Sequence, residues 1–218
     1  MNKTATSSTP EKKATGPDWW LFFRKFLTQG RKIASFVPSS VWMAKAVLKG
    51  IDFENCSTIL ELGAGTGPIT TQLLKQAPDH CRCVILEREP DFCVRLRKRF
   101  PQAEILEADA SHLAGLLKER GIKTVDHILC GLPLPSFAEE DRDRVLGCAL
   151  NHLRPEGTFR QLTHLPWVYR RMYRRYFDQV KFHMVFRNLP PAGFYICRGR
   201  NLHQEVGQAS ELPMLTAL

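Results

Sequence analysis

Between residues 58 and 163 the chain alternates short apolar runs with longer segments in which apolar positions recur at helical spacing. The runs Thr58–Leu62, Arg82–Glu87, Glu104–Glu107, Val125–Cys130 and 158–163 are too short for buried helices and predict strands. The segments 68–76, 90–99, 110–120 and 139–153 lie between or beside them and predict helices. Such βα alternation points to a parallel, doubly wound sheet with helices on both faces. The pattern then changes. Runs 181–187 and 193–198 are joined by Asn188-Leu-Pro-Pro191, a connection too short for a helical crossover, so the sheet should end in an antiparallel hairpin.

Upstream, residues 1–17 are rich in Thr, Ser, Lys and Pro without periodicity and predict a disordered lead-in. From Asp18, a plausible N-cap, a helix is expected through residue 37, with a possible break at Gly30. At about 100° per residue, Trp19, Phe22, Phe23, Phe26, Leu27, Ile33, Ala34 and Val37 share one face, while Arg24, Lys25, Thr28, Arg31, Lys32 and Ser35 lie opposite. Such a helix can simply dock on a catalytic core. The density of aromatic residues, Trp20 included, bracketed by cations fits better a helix lying in an anionic membrane interface. One helix could fill both roles by covering a site until lipid is present. After Pro38, Ser39 or Ser40 is expected to cap a second helix running through Leu48 and ending near Gly50.

Composition narrows the picture. The 218 residues suffice for one α/β domain, expected over 38–200 and followed by a flexible tail at 201–218. No apolar stretch reaches the roughly 18 residues of a membrane span, and the amino terminus lacks a signal-peptide pattern, so a cytoplasmic protein is expected. The seven cysteines are scattered without zinc-site spacing and read as buried, reduced thiols, with no metal role. The net charge of +9 is uneven: +7 over residues 1–50, −4 over 51–153, +8 over 154–200 and −2 beyond. Two basic flanks around an acidic centre suggest a polyanionic partner, nucleic acid or anionic lipid.

The strongest chemical motif is Ile59-Leu-Glu-Leu-Gly-Ala-Gly-Thr-Gly67, a buried strand running into glycines and then a helix. Gly63, Ala64, Gly65 and Gly67 form a small-residue turn that lets backbone approach a ligand closely. Glu87 ends the second strand, where a carboxylate can accept two ribose hydroxyls, with Arg88 beside it. Asp109 and Ala110 follow the third strand, near where an adenine amino group could donate, and Glu61 can reach a positively charged group directly or through water. Any one of these carboxylates alone would read as a solvated loop residue; together they mark three successive strand ends. The loop reads G-x-G-x-G followed by Pro68 rather than the G-x-G-x-x-G of a dinucleotide dehydrogenase.

The glycine loop, the strand-end Glu87 and the Asp109 loop resemble the S-adenosylmethionine (SAM)-dependent methyltransferases over about residues 40–198. That resemblance implies a Rossmann-like class I fold, a mostly parallel seven-stranded sheet, and SAM as methyl donor with S-adenosyl-L-homocysteine as product. Within the class, Val37-Pro-Ser-Ser40, Glu87-Arg-Glu-Pro-Asp-Phe92, Gly131-Leu-Pro-Leu134, Leu153-Arg-Pro-Glu-Gly-Thr-Phe159 and Asn188-Leu-Pro-Pro-Ala192 resemble the bacterial phospholipid N-methyltransferases. The implied activity is methylation of phosphatidylethanolamine towards phosphatidylcholine by an enzyme peripheral to the inner face of the cell membrane.

The outline is shared with rRNA adenine dimethyltransferases, so the loop after the fourth strand carries the distinction. A base-modifying enzyme needs an amide for the adenine amino group and an aromatic ring to stack on the base. Gly131 and Leu134 stand in those places, with Leu132 and Pro133 between them, which suggests an apolar mouth for a lipid head and no nucleic-acid substrate. After the fifth strand the phospholipid enzymes tend to continue Thr-Tyr-Gly, whereas this chain reads Gln161-Leu-Thr-His-Leu-Pro166 and leads into Trp167 and Tyr169. His164, His183 and Tyr169 are candidate bases for the substrate ammonium, although desolvation against the sulfonium charge would itself lower the ammonium pKa. Arg170, Arg171, Arg174 and Arg175, interleaved with Tyr169, Tyr173 and Tyr176, read either as a solvated face or as a basic helical rim for a lipid phosphate. An RNA adenine methyltransferase and a non-catalytic binder remain the alternatives; intact Glu61, Glu87 and Asp109 argue against the latter.

Overall fold

The computed structural model describes residues 38–163, 169–187 and 192–200. Its elements run α1 (Pro38–Leu48), β1 (Thr58–Leu62), α2 (Pro68–Leu73), β2 (Arg82–Glu87), α3 (Pro90–Arg99), β3 (Glu104–Glu107), α4 (Leu113–Glu119), β4 (Val125–Cys130), α5 (Glu139–His152), β5 (Leu153–Thr163), α6 (Arg170–Tyr173), β6 (Phe177–Val185) and β7 (Ala192–Arg200). The strands form one sheet in the order β3-β2-β1-β4-β5-β7-β6. Pairing is parallel from β3 across to β5 and antiparallel at β5–β7 and β7–β6. The doubly wound sheet and its terminal hairpin are therefore present as expected.

Strand residues alternate between two cores. Leu60, Leu62, Val84, Leu86, Ile128 and Phe159 pack with Leu113 and Leu117 of α4 and Val145, Leu146 and Ala149 of α5. Ile59, Cys83, Ile85 and Leu129 point the other way, onto Met43, Ala44 and Val47 of α1, Ile69 and Leu73 of α2 and Leu96 of α3. A strand buried on both faces must be apolar nearly throughout, which is why these strands read as continuous hydrophobic runs. All seven cysteines are unpaired thiols, and six are buried in these layers.

Several boundaries differ from the sequence reading. The strand expected at 158–163 begins at Leu153, because Leu153 pairs with Val125 before an irregularity that brings Thr158 opposite His127. The helix expected from Ala110 opens as a 3₁₀ turn, Ala110–His112, capped by Asp109, and becomes α-helical only at Leu113. Helix α1 takes both Ser39 and Ser40 into its first turn, since Pro38 is well suited to that position. The basic rim is reduced to the short helix α6: Tyr173 and Tyr176 are buried, and Tyr173 packs on Tyr195 with ring centroids 5.3 Å apart. Aromatic surface outweighs the phenol oxygens, so these tyrosines serve the core rather than a rim. Trp167 and the lead-in, amphipathic-helix and tail segments expected at 1–17, 18–37 and 201–218 lie outside the described residues.

One buried cation fixes α1 to the sheet. Arg160, 1% exposed on β5, donates through Nη1 to the carbonyls of Val47 at 2.6 Å and Lys49 at 2.9 Å, and through Nε to Thr158 Oγ1 at 2.9 Å. These carbonyls close the C-terminal end of α1, where the helix dipole favours positive charge. Burial and the nearby Arg198 lower its pKa to about 10, still a cation at neutral pH. Arg160→Met is expected to orphan both carbonyls and destabilise the protein by about 3 kcal/mol in urea unfolding. An unchanged midpoint would show that Arg160 does not anchor the helix.

Candidate active site

Strand order reverses between β1 and β4, so the helices that follow them leave on opposite faces and a crevice opens beyond their carboxyl ends. Every loop bearing the expected cofactor chemistry ends there. Gly63 donates its N–H to Leu86 O at 2.8 Å, Ala108 donates to Glu87 O at 3.0 Å, and Gly131 donates to Leu62 O at 2.8 Å. The loops after β1, β2, β3 and β4 are thus laced to one another by backbone hydrogen bonds.

The first loop is a cradle of left-handed backbone, with φ of +76° at Gly63, +57° at Gly65 and +79° at Gly67. A Cβ on Gly63 would approach Leu132 Cδ2 to 2.7 Å, and one on Gly67 would meet Leu96 Cδ2 at 2.7 Å. Gly65 has open space where its Cβ would be, as a ligand-facing position requires. The Glu87 carboxylate closes the cradle, accepting N–H bonds from Gly65 at 2.7 Å, Arg88 at 2.8 Å and Glu89 at 2.9 Å.

Beside it Asp109 caps the 3₁₀ turn through Ser111 N at 2.9 Å and meets Arg88 Nη1 at 3.1 Å, both side chains being well exposed. Partial burial opposes its charge, but the Ser111 and Arg88 hydrogen bonds outweigh that and hold its carboxyl below the usual range. Ala110 and Ala64 are buried beneath these loops. Glu61 lies deeper. It is 1% exposed, and its carboxylate accepts a hydrogen bond from Thr70 Oγ1 at 2.8 Å. Burial pushes its pKa up to about 7 against the Thr70 hydrogen bonds, with the negative charge of Glu87 adding to the rise.

The loop after β4 corrects one expectation. Leu134 is fully buried in the core on the α4 and α5 face, because Leu134–Ser136 forms a 3₁₀ turn that folds it under the sheet; it does not line a mouth. Leu132 and Pro133 remain half-buried at the crevice, with Leu132 against Gly63. Gly131 has a backbone reason for its size: a Cβ there would lie 2.7 Å from Gly63 O, so the amide side chain of a base-modifying enzyme does not fit without moving the β1 loop.

Two supporting residues escaped the sequence reading. Gln161, 1% exposed, donates through Nε2 to Leu132 O at 2.7 Å and to Cys130 and Leu162 carbonyls, bracing the β4 loop. Thr70 braces Glu61 from the first turns of α2. Their signal is a polar residue in an otherwise apolar position, which does not reveal its partner.

Tyr169, at the start of α6, is half-buried and packs on the aromatic core, while Arg170 and Arg174 are exposed. His183 sits on the edge strand β6, three strands from β4, stacked on Phe194 at 5.3 Å, which removes it from the crevice. His164 and the aromatic and basic residues from Trp19 to Lys32 fall outside the described residues. Among the described residues no group of three or more His, Cys, Asp or Glu could hold a metal ion, and no helix is long and apolar enough to cross a membrane.

Residues 59–157 match the family described as a methyltransferase domain. The fold is similar to 1,6-didemethyltoxoflavin-N1-methyltransferase of Burkholderia thailandensis, solved with S-adenosylhomocysteine (TM-score 0.62, 17% identity, 91% of this chain and 92% of that one). It is also similar to TrmN of Thermus thermophilus (TM-score 0.58, 19% identity, 72% of this chain), of which it spans about half, 48%. Sheet order and crevice together define the fold of a class I SAM-dependent methyltransferase. A closer relative, ornithine lipid N-methyltransferase of Singulisphaera acidiphila, is 45% identical over 185 residues, covering 84% of this chain and 96% of that one. The chain belongs to that enzyme's family.

The raised pKa of Glu61 gives a pH signature. An ordinary glutamate titrates near 4.3, so between about pH 4.3 and 7 the folded state holds a proton that the unfolded state has released. Stability from this group is full below about pH 4.3 and is lost as pH rises through 7. Glu61→Gln carries no charge, so its melting temperature relative to the parent is expected to climb between pH 5 and 8. Parallel melting curves across that range would contradict a buried, neutralised Glu61.

Proposed function

We propose that the chain transfers methyl groups from SAM to the amine of a membrane aminolipid. The observation that carries this reading is the 45% identity to an ornithine lipid N-methyltransferase over 84% of this chain and 96% of that one. The amine of an ornithine lipid is therefore the first substrate to offer. Phosphatidylethanolamine, favoured by the motif resemblance, presents a primary amine of the same chemistry and is the second. The absence of room for an amide at Gly131 supports a lipid over a nucleobase.

The roles of the site residues follow from their placement. The glycine turn from Gly63 to Gly67, open at Gly65, would receive the amino-acid end of SAM, Glu87 its ribose hydroxyls, and Asp109, Ala110 and Arg88 its adenine. Glu61, buried below the cradle with no cation in hydrogen-bond contact among the described residues, is suited to face positive charge. When bound, SAM supplies an electrophilic methyl group for in-line displacement. The protein's task is then alignment and exclusion of water. Leu132 and Pro133 border the crevice with apolar surface, and Gln161 holds that border in place. An ammonium entering such surroundings is destabilised relative to the free amine, so desolvation assists the proton loss that must precede transfer. Tyr169 is half-buried with its ring against the aromatic core, so desolvation rather than this phenol is the favoured route to the free amine.

Purified protein given methyl-labelled SAM, with ornithine lipid, phosphatidylethanolamine or rRNA in parallel, is expected to label an aminolipid. Label in mono-, di- or trimethylated headgroups would also count the transfers. Label only in RNA would overturn the reading.

A further inference from the structure

Four large apolar side chains are exposed among the described residues, and three of them, Val41, Trp42 and Phe186, belong to α1 and the tip of the β6–β7 hairpin. Trp42 is 40% and Phe186 80% exposed. The two elements meet at this point, for the Arg187 guanidinium lies 4.7 Å from the Trp42 ring centroid, with Lys45 Nζ over the same ring at 6.0 Å. The result is an aromatic and aliphatic patch with two cations within it.

Topology puts this patch on the same edge of the sheet as the crevice. Strand β7 is antiparallel to both β5 and β6, so β6 runs parallel to β4 and β5 and delivers Phe186 and Arg187 to their carboxyl edge. Helix α1 runs the other way, since its C-terminal end leads through Phe53–Asn55 into the amino end of β1; Val41 and Trp42 on its first half therefore lie at the carboxyl edge too. Charge is one-sided. Helix α1 carries no carboxylate, nor do residues 180–187 or 192–196 of the hairpin, whereas Lys45, Lys181 and Arg187 contribute positive charge.

An exposed indole flanked by cations, next to a fully presented phenyl ring, suits the headgroup region of an anionic bilayer: rings enter the interface while Lys and Arg meet lipid phosphate. We infer that Val41, Trp42, Lys45, Phe186 and Arg187 form a membrane-contact surface of the folded domain, which seats the catalytic edge against an anionic lipid surface. These residues are not those of the amphipathic segment expected at 18–37. Assigning lipid as the partner rests on the aminolipid reading above, but vesicle binding requires no turnover, so the two can fail independently.

The test is co-sedimentation of the full chain with sucrose-loaded vesicles of phosphatidylglycerol and phosphatidylcholine, comparing the parent with Phe186→Asp and Arg187→Glu. Each variant is expected to partition at least about fivefold more weakly, with unchanged melting temperature because neither side chain is in the core. Val94→Asp, at an exposed apolar position of α3 outside the patch, is expected to bind like the parent. Unchanged partition of Phe186→Asp would overturn the inference, as would an equal loss in Val94→Asp. Sedimentation velocity without lipid covers the remaining occupant: a parent dimer dissociated by Phe186→Asp would make the patch a protein interface instead. Weakened partition with no aminolipid methylated would keep the surface and sink the substrate assignment.

Discussion

Strand β1 is packed on both faces, apolar there except for Glu61, and hydrogen-bonded along both edges, to β2 on one side and β4 on the other. With no exposed edge and no exposed face, its backbone polar groups have a single arrangement in which all are satisfied. The chain leaving its carboxyl end must then turn away through Gly63–Gly67 at positive φ, because Leu132 and Leu96 occupy the space a side chain would need. The crevice results from that constraint. Glu87 secures it by gathering three backbone N–H groups from two different loops, so the group proposed to hold a ribose also sets the shape of the cradle.

The two ends of the sheet are built differently. At the amino edge Asp126 accepts from Ser57 N and Thr58 N, both at 2.8 Å, and pairs with Arg154 at 2.6 Å, while Gly157 packs against Asp126 O too closely for any side chain. Charges there are consumed in joining β1, β4 and β5. At the carboxyl edge the backbone is open, the Arg88–Asp109 pair is exposed, and aromatic and basic side chains of α1 and the hairpin reach solvent. Rigidity at one edge supports chemistry at the other, and Arg160 extends that support by tying α1 to β5.

Much of this was legible in the chain itself. β1 to β4 follow from apolar runs, and the glycine loop, Glu87 and Asp109 follow from their positions at successive strand ends. Less legible was anything decided by side chains meeting across long sequence separations. Tyr173 and Tyr176 alternate with arginines and read as rim residues, yet tertiary packing draws them into the aromatic core. Leu134 follows Pro133 in what reads as a mouth, but a 3₁₀ turn reverses its direction. Thr70, Gln161 and Arg160 serve partners 9, 29 and 113 residues away, and no local pattern announces such pairings. The segments before residue 38 and around His164 lie outside the described residues, so their expected roles rest on sequence alone.

In the function proposed above, four strand-end loops form one cofactor cradle at the reversal between β1 and β4. Hydrogen exchange read by mass spectrometry, with and without S-adenosylhomocysteine, tests it most directly. Protection is expected to concentrate at residues 62–67, 87–89, 108–111 and 131–133, leaving the amino edge around 126 and 154–158 unchanged. Protection confined to the amino edge or the terminal hairpin, or none at saturating ligand, would contradict the account.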